Sequence, residues 1–330
     1  MNSELDRLES TLRGALASER EREWLPRPDA VTVTVLAVGT YHTNFLVQSG
    51  DAVFVARYNR SSQWNLSPRN QLEREFATLR DLTASGVTPI PLALLDGDEP
   101  FLLESYISGS AFDYAADTPA CAIAIAQAHA CAPQSTLVLL SATSPFEFLL
   151  DDGESCLDRA ARADGAAGFD GAAESTTILR RTHDRLAEAS PVVFHSPNII
   201  VHTDLIQPNI LRTETGCALV DWEGARIGPR ALDLAYFLSP VTAQWARPRA
   251  ELGDSHRDDF IRVYAEKSGV DPVQLDAEVS QLMPYVMFRA LCWCAERLYS
   301  GEETKLDSLE TLELVVSSQF LTERFGALLA

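Results

Sequence analysis

Residues 202–223 read HTDLIQPNILRTETGCALVDWE, and this segment decides the fold. Four residues separate Asp204 from Asn209, and eleven more separate Asn209 from Asp221. Enzymes that transfer phosphoryl groups from ATP use one Asp to receive the proton of the attacking hydroxyl, and an Asn and a second Asp to hold magnesium. The spacing therefore predicts Asp204 as the catalytic residue and Asn209 and Asp221 as magnesium ligands, with ATP as the phosphoryl donor.

A β-hairpin explains why the amide and the second acid are so far apart in sequence. Residues 209–212 and 217–220 are predicted strands, joined by four residues with the composition of a turn. If the last residue of the first strand pairs with the first residue of the second, Asn209 pairs with Val220. Asp221 then lies diagonally beside Asn209, and both offer the hard oxygen ligands that magnesium prefers.

A structural interpretation of these residues competes with the catalytic one. Asp and Asn are common turn formers and helix caps, so any one of the three alone would be interpreted as structural. The ordered combination of an H-x-D-x4-N pattern, a strand-turn-strand and then D-W-E favours the catalytic interpretation.

The segment from Ile200 to Leu238 resembles the aminoglycoside phosphotransferase family, which includes choline kinases and other small-molecule kinases. The resemblance implies an α+β, protein-kinase-like bilobal fold. An antiparallel β-sheet N-lobe would precede a mainly helical C-lobe that contains the catalytic β-hairpin. Two positions depart from the family pattern: Thr203 replaces the usual Gly of H-G-D, and Pro229 replaces an acid. Neither change removes a predicted catalytic group.

The same resemblance assigns structural support to His202 and Asp233. Asp233 matches a family acid that holds the catalytic loop by hydrogen bonds. It also fits the simpler interpretation of an Asp near a helix N-terminus, where the helix dipole favours negative charge.

The N-terminal half contains the predicted nucleotide lobe. Strands are expected over residues 31–38, 45–48 and 52–58, with a turn that starts at Gly39. The turn resembles a shortened phosphate-binding loop, which implies that Gly39, Thr40 and Asn44 contact ATP. With a single glycine, an ordinary hairpin turn remains the alternative.

A cation and an acid that position the phosphates are expected at Arg57 and Glu75. Arg57 lies where the family usually has Lys, and a guanidinium keeps its charge and binds phosphate oxygens as a fork. Helical spacing of apolar residues predicts a helix over 71–82. On this helix the family resemblance implies Glu75 as the partner of Arg57, rather than Glu73, which lies on a different face. The alternatives are an outward-facing strand Arg and a solvated helical Glu.

Three regions follow from these assignments. Residues 1–30 are an N-terminal helix and lead-in, residues 31–107 the nucleotide-binding N-lobe, and residues 108–330 the catalytic and substrate-binding C-lobe. The hinge at the end of the N-lobe would bind the adenine through backbone groups near Ser105 and Ile107.

Two segments have distinctive patterns of their own. Residues 1–20 have leucines at helical spacing and are expected to form an amphipathic helix that packs on the N-lobe, with a partner-binding helix as the alternative. Residues 151–175 are rich in Gly, Ala and Asp and poor in large apolar residues, so we expect a mobile insertion.

The charge balance is strongly acidic. The formal net charge is −20, and of 27 basic residues only Lys267 and Lys305 are lysines. This pattern suggests a halophilic protein adapted to high salt, because salt screens self-repulsion. An acidic protein from a GC-rich, Arg-biased genome is the alternative. The acidic balance also argues against nucleic-acid partners, which require basic patches.

Targeting signals are not evident in the sequence. No apolar run is long enough to cross a bilayer, and residues 1–20 are charged rather than signal-like. A cytoplasmic location without membrane partners is therefore expected, with the six cysteines as free thiols.

The predicted reaction moves the γ-phosphoryl group of ATP to a hydroxyl of a small molecule such as an amino alcohol or a sugar. An aminoglycoside-modifying resistance kinase and a nucleotide-binding pseudokinase scaffold are the alternatives. The substrate pocket is expected after residue 240, where Arg289 and Arg297 would suit an anionic substrate. Acids that would suit an amine, or would simply coat the surface, are Asp254, Asp258, Asp259, Glu266, Glu296 and Glu302. The sequence leaves open the substrate, the choice of ATP or GTP, and the oligomeric state.

Overall fold

The computed structural model describes most of the 330-residue chain. The described residues are 2–19, 24–27, 30–62, 66–134, 144–163, 169, 171–189, 194, 198–246, 249–250, 252–301 and 306–330.

An antiparallel five-stranded sheet forms the N-terminal layer. The strands are β1 (Val31–Val38), β2 (His42–Ser49), β3 (Ala52–Asn59), β4 (Pro91–Leu95) and β5 (Phe101–Ser105). Their order in the sheet is β1-β2-β3-β5-β4, and every pairing is antiparallel. β-branched residues are frequent in β1 and occur in β2 and β3, as is typical of strands, whereas β4 and β5 are built mainly from Leu and Phe.

Two helices cover this sheet. Helix α1 (Asn2–Ser18) packs on β1 and buries Leu8, Leu12 and Leu16 in the same core as Phe45. The predicted amphipathic N-terminal helix and its packing on the sheet are confirmed. Helix α2 (Pro68–Leu82) starts after Ser67, and it packs against β3, β4 and β5.

The helical part of the molecule follows the sheet. Its helices are α3 (Tyr114–His129), α4 (Pro145–Arg162), α5 (Ala172–Glu188), α6 (Ala231–Leu238), α7 (Asp254–Ser268), α8 (Pro272–Ser300), α9 (Leu306–Val316) and α10 (Ser318–Leu329). Helix α8 has 29 residues and packs against α4, α5, α6, α7 and α9, so it forms the centre of this part. The α+β fold, with an antiparallel sheet before a mainly helical part, is confirmed.

Short strands within the helical part contain or flank residues 202–223, the segment predicted to be catalytic. They are β6 (Ser110–Ala111), β7 (Ile199–Val201), β8 (Ile210–Thr213), β9 (Gly216–Leu219) and β10 (Arg226–Gly228). The β8–β9 hairpin pairs Arg212 with Cys217, and the N–H of Val220 donates to the carbonyl of Asn209 over 3.0 Å. The hairpin register predicted from the sequence is confirmed.

The predicted mobile insertion at residues 151–175 was wrong for the described residues of that segment. Helix α4 extends to Arg162 and α5 begins at Ala172, while residues 164–168 and 170 lie outside the described residues. The segment is poor in large apolar residues, but Cys156 and Leu157 are buried. Gly153 also lets α4 approach α8 closely, because a Cβ there would lie 2.5 Å from the Phe288 ring. We expected mobility because a segment with few large apolar residues has little surface to bury. Instead, small residues let α4 pack closely against α8, and this packing orders the segment.

Two other expectations concern membrane-spanning helices and the state of the cysteines. Within the described part of the chain, no helix has the length and apolar character that crossing a membrane requires. All six cysteines are free, as predicted. The bounds of the regions at residues 30 and 107 stay predictions.

Candidate active site

A cavity of about 460 Å³ lies between the N-terminal sheet and the helical part. Seven residues that the sequence assigned to catalysis, metal or nucleotide line it: Gly39, Thr40, Asn44, Arg57, Asp204, Asn209 and Asp221. A second cavity of about 600 Å³ lies beside Asp81, Arg230 and Lys267, and none of these seven residues lines it. The smaller cavity is therefore the candidate active site.

The loop after β7, residues 202–206, holds the predicted catalytic residue Asp204 at the cavity wall; we call it the catalytic loop. The side-chain amide of Asn209 donates to the carboxylate of Asp204 over 3.0 Å and to its carbonyl over 2.9 Å. Burial raises the pKa of Asp204 to about 6, and the charge of Arg289 opposes part of this rise. The carboxyl group is therefore ionised at neutral pH and able to accept a proton.

His202 and Asp233 support this loop from behind. Both carboxylate oxygens of the buried Asp233 accept backbone N–H bonds of 2.7 Å, one from His202 and one from Thr203. The ring of His129 lies 3.0 Å from the same carboxylate. The His202 ring bonds to the carbonyl of Val220 over 2.9 Å and so ties the loop to the hairpin. The hydrogen bonds expected of Asp233 are present.

Thr203 and Asp221 adopt backbone conformations that favour glycine. Their φ angles are 66° and 70°, the only positive values of non-glycine residues in the described part of the chain. Strained residues of this kind concentrate at functional sites. At Thr203 the strain has a direct origin, because threonine stands where the family usually has glycine. The hydroxyl of Thr203 donates to the carbonyl of Gly224 over 2.9 Å and helps to hold the conformation.

Arg57 and Glu75 form the ion pair that was predicted between β3 and α2. Arg57 Nη1 lies 3.1 Å from Glu75 Oε1, and the two side chains are only 2% and 1% exposed. Arg57 also binds Asp221 through both terminal nitrogens. The alternative of an outward-facing strand Arg is thus wrong. Glu73 is partly exposed and pairs with Arg69, as expected for the less favoured acid.

The magnesium ligands predicted from the sequence, Asn209 and Asp221, both line the cavity. Burial acts to raise the pKa of Asp221, but Arg57 and His42 outweigh it and lower that pKa below its ordinary value. Ligand atoms of His42, Asp221 and Glu223 also lie within 4.8 Å of one another. The oxygen donors of Asn209, Asp221 and Glu223 fit a hard divalent cation, and the excess of carboxylates in this wall would be neutralised by one.

The turn predicted to bind phosphate lines this cavity, but the predicted hinge residues do not. Gly39, Thr40 and Asn44 line it, whereas Ser105 and Ile107 do not. The N–H of Ser105 donates to the carbonyl of Ile90 over 2.8 Å. Their predicted contact with adenine therefore stays a prediction.

Several lining residues were missed from the sequence. They are His42, Glu104, Glu223, Tyr236, Trp245 and Trp293. Two of them had a signal, because His42 lies inside the predicted phosphate turn and Glu223 ends the D-W-E motif. Glu104 is buried, which raises its pKa to about 7. Trp293 lies on α8 in a largely apolar stretch, a pattern that predicts a core residue.

The far wall of the cavity contains residues from beyond position 240, as predicted. Thr242, Trp245, Arg289 and Trp293 line it. None of the described candidate acids does: Asp254, Asp258, Asp259 and Glu266 are exposed, and Glu296 pairs with Arg159. Glu302 lies outside the described residues. The four exposed acids therefore belong to the surface coat.

The model of the phosphotransferase enzyme family matches residues 32–266. The chain belongs to this family. The match spans the sheet, α2, the catalytic hairpin and α6, so it contains every residue proposed above for phosphate, metal or proton transfer. No curated protein matches the sequence.

Solved structures of small-molecule kinases share the fold. Choline kinase from Cryptosporidium parvum has a TM-score of 0.66 and 14% identity, covering 97% of this chain and 96% of its own. A microcompartment-associated aminopropanol kinase has a TM-score of 0.65 and 15% identity, covering 96% and 97%. A spectinomycin phosphotransferase in complex with ADP and spectinomycin has 0.61 and 11%, covering 90% and 92%.

Proposed function

We propose that this protein transfers the γ-phosphoryl group of ATP to a hydroxyl group of a small molecule. The observation that carries the proposal is the convergence of Asp204, Asn209, Asp221 and Arg57 on one cavity. These residues come from three separate segments, namely the loop after β7, the β8–β9 hairpin and the sheet. Family membership and the kinase fold support the same reaction class.

The proton-accepting role falls to Asp204. The Asn209 amide orients its carboxylate through the 3.0 Å hydrogen bond, and ionisation at neutral pH follows from a pKa of about 6. In the forward reaction the hydroxyl oxygen forms a bond to the γ-phosphorus, and the bond from that phosphorus to the bridging oxygen of ADP breaks. The hydroxyl proton moves to Asp204. Most of the rate enhancement would come from positioning and charge stabilisation.

The donor side of the site would be held by the remaining residues. Asn209 and Asp221 would bind magnesium, which when bound neutralises the charge of the phosphates. Arg57, aligned by Glu75, would bind phosphate oxygens, and the turn at Gly39 would cover them with backbone N–H groups.

Substitution of Asp204 by Asn tests the proposal. With magnesium, ATP and a panel of hydroxyl compounds, Asp204→Asn should reduce transfer by roughly a thousandfold or more, because no group then accepts the proton. Nucleotide affinity should stay within about threefold of the wild type. The exposed Asp258→Asn variant serves as the control and should retain wild-type turnover.

Two results would contradict the proposal. Near-normal transfer by Asp204→Asn would remove the assigned role of this residue. Tight ATP binding by the wild type without transfer to any hydroxyl compound would favour a nucleotide-binding scaffold instead.

A further inference from the structure

The second cavity, of about 600 Å³, is lined by none of the residues assigned to phosphate, magnesium or proton transfer. Its lining comes from helices α2, α3 and α7 and from Arg230, which directly precedes α6. The volume lies in the range of pockets that bind small metabolites. The charged groups in its wall and their link to the catalytic loop indicate what this cavity can bind.

Arg230 presents a buried cation to the second cavity. The residue is 9% exposed, and its Nη1 donates to the hydroxyl of Tyr264 over 3.2 Å. Its Nε is buried and has no hydrogen-bond partner among the described residues, and no described acid forms an ion pair with the guanidinium. A buried N–H group without an acceptor is costly, so an oxygen-rich ligand in the cavity would stabilise Arg230.

Lys267 adds a second cation to the same wall. It lies in the last turn of α7, where a cation also stabilises the helix C-terminus, and it is exposed. No described acid pairs with it, whereas the exposed Arg262 on the same helix pairs with Asp259. The acid in the wall, Asp81, accepts the backbone N–H of Gln134 over 2.8 Å. The ammonium group of Lys267 is therefore available to a ligand.

A chain of hydrogen bonds joins Arg230 to the catalytic loop. After the bond from Arg230 to Tyr264, the hydroxyl of Tyr264 lies 2.7 Å from Nδ1 of His129. Nε2 of His129 lies 3.0 Å from Oδ2 of Asp233, and Asp233 accepts the backbone N–H groups at positions 202 and 203. All four side chains of the chain are buried. The wall of the second cavity is thus connected to the backbone that precedes Asp204.

The chemistry of the groups gives this chain one direction. An ionised carboxylate only accepts, which assigns the hydrogen of the His129 ring to Nε2. In the neutral ring Nδ1 then accepts from the Tyr264 hydroxyl, and the oxygen of that hydroxyl accepts from Arg230, which has only donors. Each bond orients the next group, so the position of the guanidinium bears on the carboxylate that holds the loop.

An oxyanion in the cavity would act on the first bond of the chain. Two anion oxygens can accept from Nε and a terminal nitrogen of Arg230 as a fork, while Nη1 keeps its bond to Tyr264. The conformation with the complete chain would then be stabilised relative to conformations in which the guanidinium turns away. A ligand that binds one conformation better shifts the population towards it.

We propose that the second cavity binds a small phosphate-bearing metabolite through Arg230 and Lys267. The bound phosphate stabilises the catalytic loop through the hydrogen-bond chain that runs from Arg230 to Asp233. A phosphate group suits this pair of cations, because its oxygens accept a fork from a guanidinium and a further bond from an ammonium group. Binding at this cavity is separate from the proposed transfer reaction and does not depend on it.

Cys131 reports on occupancy of the second cavity. It lines the cavity and is partly exposed, whereas the other five cysteines are buried. Inorganic phosphate and glycerol 3-phosphate would be titrated at constant ionic strength, with glycerol as the neutral control, while mass spectrometry follows alkylation of Cys131 by iodoacetamide. We expect both phosphate compounds to slow alkylation by about fivefold or more at saturation, and glycerol to have no effect. Absence of protection by both would overturn the proposal.

Variants of the two cations assign the contact. Lys267→Gln should raise the Kd obtained from Cys131 protection by about threefold or more, and Arg230→Gln by about tenfold or more. Arg262→Gln, at the exposed ion pair on the same helix, is the matched control and should leave the Kd unchanged. Because Lys267 is exposed, its variant keeps the fold, and an unchanged Kd in Lys267→Gln would overturn the assignment.

Hydrogen exchange tests the link to the catalytic loop. The backbone N–H groups of His202 and Thr203, which Asp233 binds, should exchange about threefold or more slowly when phosphate is bound, measured by NMR. The amides of β2 are the reference for general stabilisation by a ligand, and the slowing at the loop should exceed theirs. Equal slowing in both places would overturn the proposed transmission.

Tyr264→Phe separates binding from transmission. The variant lacks the hydroxyl between Arg230 and His129, and Tyr264 is not among the residues that line the cavity. Phosphate should still protect Cys131 in this variant, but it should no longer slow exchange at the loop beyond that of β2. Retention of the wild-type slowing in Tyr264→Phe would overturn the role of the hydrogen-bond chain.

Discussion

Arg57 Nη1 lies 3.1 Å from Oε1 of Glu75 and 3.1 Å from Oδ1 of Asp221, so one nitrogen atom links helix α2 to the loop after β9. Glu75 lies on α2 and Asp221 follows the β8–β9 hairpin, 146 positions later in the sequence. Neither Arg57 nor Glu75 has more than 2% of its side chain exposed. The position of the sheet relative to the helical part and the orientation of the predicted phosphate-binding cation therefore depend on the same contact.

Removal of this guanidinium should destabilise the fold. Arg57→Met leaves the carboxylate of Glu75 buried without its partner, at a cost of about 3–5 kcal/mol in the free energy of unfolding. Urea titration measures the loss, and the Arg57→Met/Glu75→Gln double variant should recover part of it. Arg69→Met, which breaks the exposed pair with Glu73, is the control and should cost no more than about 1 kcal/mol. Equal losses for Arg57→Met and Arg69→Met would contradict the prediction.

The pH dependence of transfer should report the ionisation of Asp204. Burial raises the pKa of its carboxyl group to about 6, so the rate should fall as the pH drops through that value. The folded-state pKa lies above the unfolded value, so protonation stabilises the fold and this contribution is lost as the pH rises through about 6. The melting temperature of Asp204→Asn relative to the wild type should therefore rise between pH 4 and pH 7.

Each half of this prediction has its own check. A kcat profile that stays flat down to pH 5 would contradict the raised pKa in the nucleotide complex. A difference in melting temperature that stays constant from pH 4 to pH 7 would contradict it in the free protein.

The donor side of the site could be predicted from the sequence because its geometry is set locally. The β8–β9 hairpin is four residues per strand with a tight turn, so strand pairing alone places Asp221 beside Asn209. Periodicity predicted the strand and the helix on which Arg57 and Glu75 lie, and the family resemblance identified these two positions. Asp233 was assigned through the family resemblance, and the two 2.7 Å bonds that its carboxylate accepts from the backbone of His202 and Thr203 agree with that assignment.

The region that forms the far wall was predicted, but which of its side chains face the cavity could not be predicted in the same way. Trp293 and Phe288 both lie on α8 at apolar positions, yet Trp293 faces the cavity while Phe288 is fully buried against α4. Which side of a long helix faces a cavity depends on the helices packed around it, and periodicity does not identify them. The helical structure of residues 151–162 was missed for a related reason, since close contact through Gly153 leaves no apolar signature.

Thr203 offers a test of stored backbone strain. Its φ of 66° costs a β-branched residue about 1–2 kcal/mol, which glycine avoids. Thr203→Ala and Thr203→Gly both lose the hydroxyl bond to Gly224, but only Thr203→Gly relieves the strain. The glycine variant should therefore melt at a higher temperature than the alanine variant, measured by calorimetry. The opposite order would show that this conformation carries no strain.

The acidic composition leads to a prediction about salt. With a net charge of −20, unscreened repulsion should lower stability in dilute buffer. Because the screening length falls from about 10 Å at 0.1 M salt to about 3 Å at 1 M, the melting temperature should rise with KCl over this range. Sucrose at equal osmolality stabilises without screening and separates the two effects. Full stability and activity in dilute buffer would contradict a halophilic adaptation.

The contact between Gly153 on α4 and Phe288 on α8 should not tolerate a methyl group. A Cβ at position 153 would lie 2.5 Å from Cε1 of the fully buried Phe288 ring. Gly153→Ala should therefore destabilise the protein by about 1–3 kcal/mol through overpacking, despite the higher helix propensity of alanine. Gly14→Ala is the control, because a Cβ in the middle of α1 meets nothing within 4 Å and should stabilise by about 0.5–1 kcal/mol.

A rescue experiment distinguishes overpacking from other causes of the loss. Phe288→Leu shortens the side chain that the new methyl group meets, so the Gly153→Ala/Phe288→Leu variant should be more stable than the sum of the two single losses predicts. Urea titrations of the four proteins give this coupling directly. Simple additivity would mean that α4 and α8 do not approach each other through this pair, and the packing assigned to residues 151–162 would then need another origin.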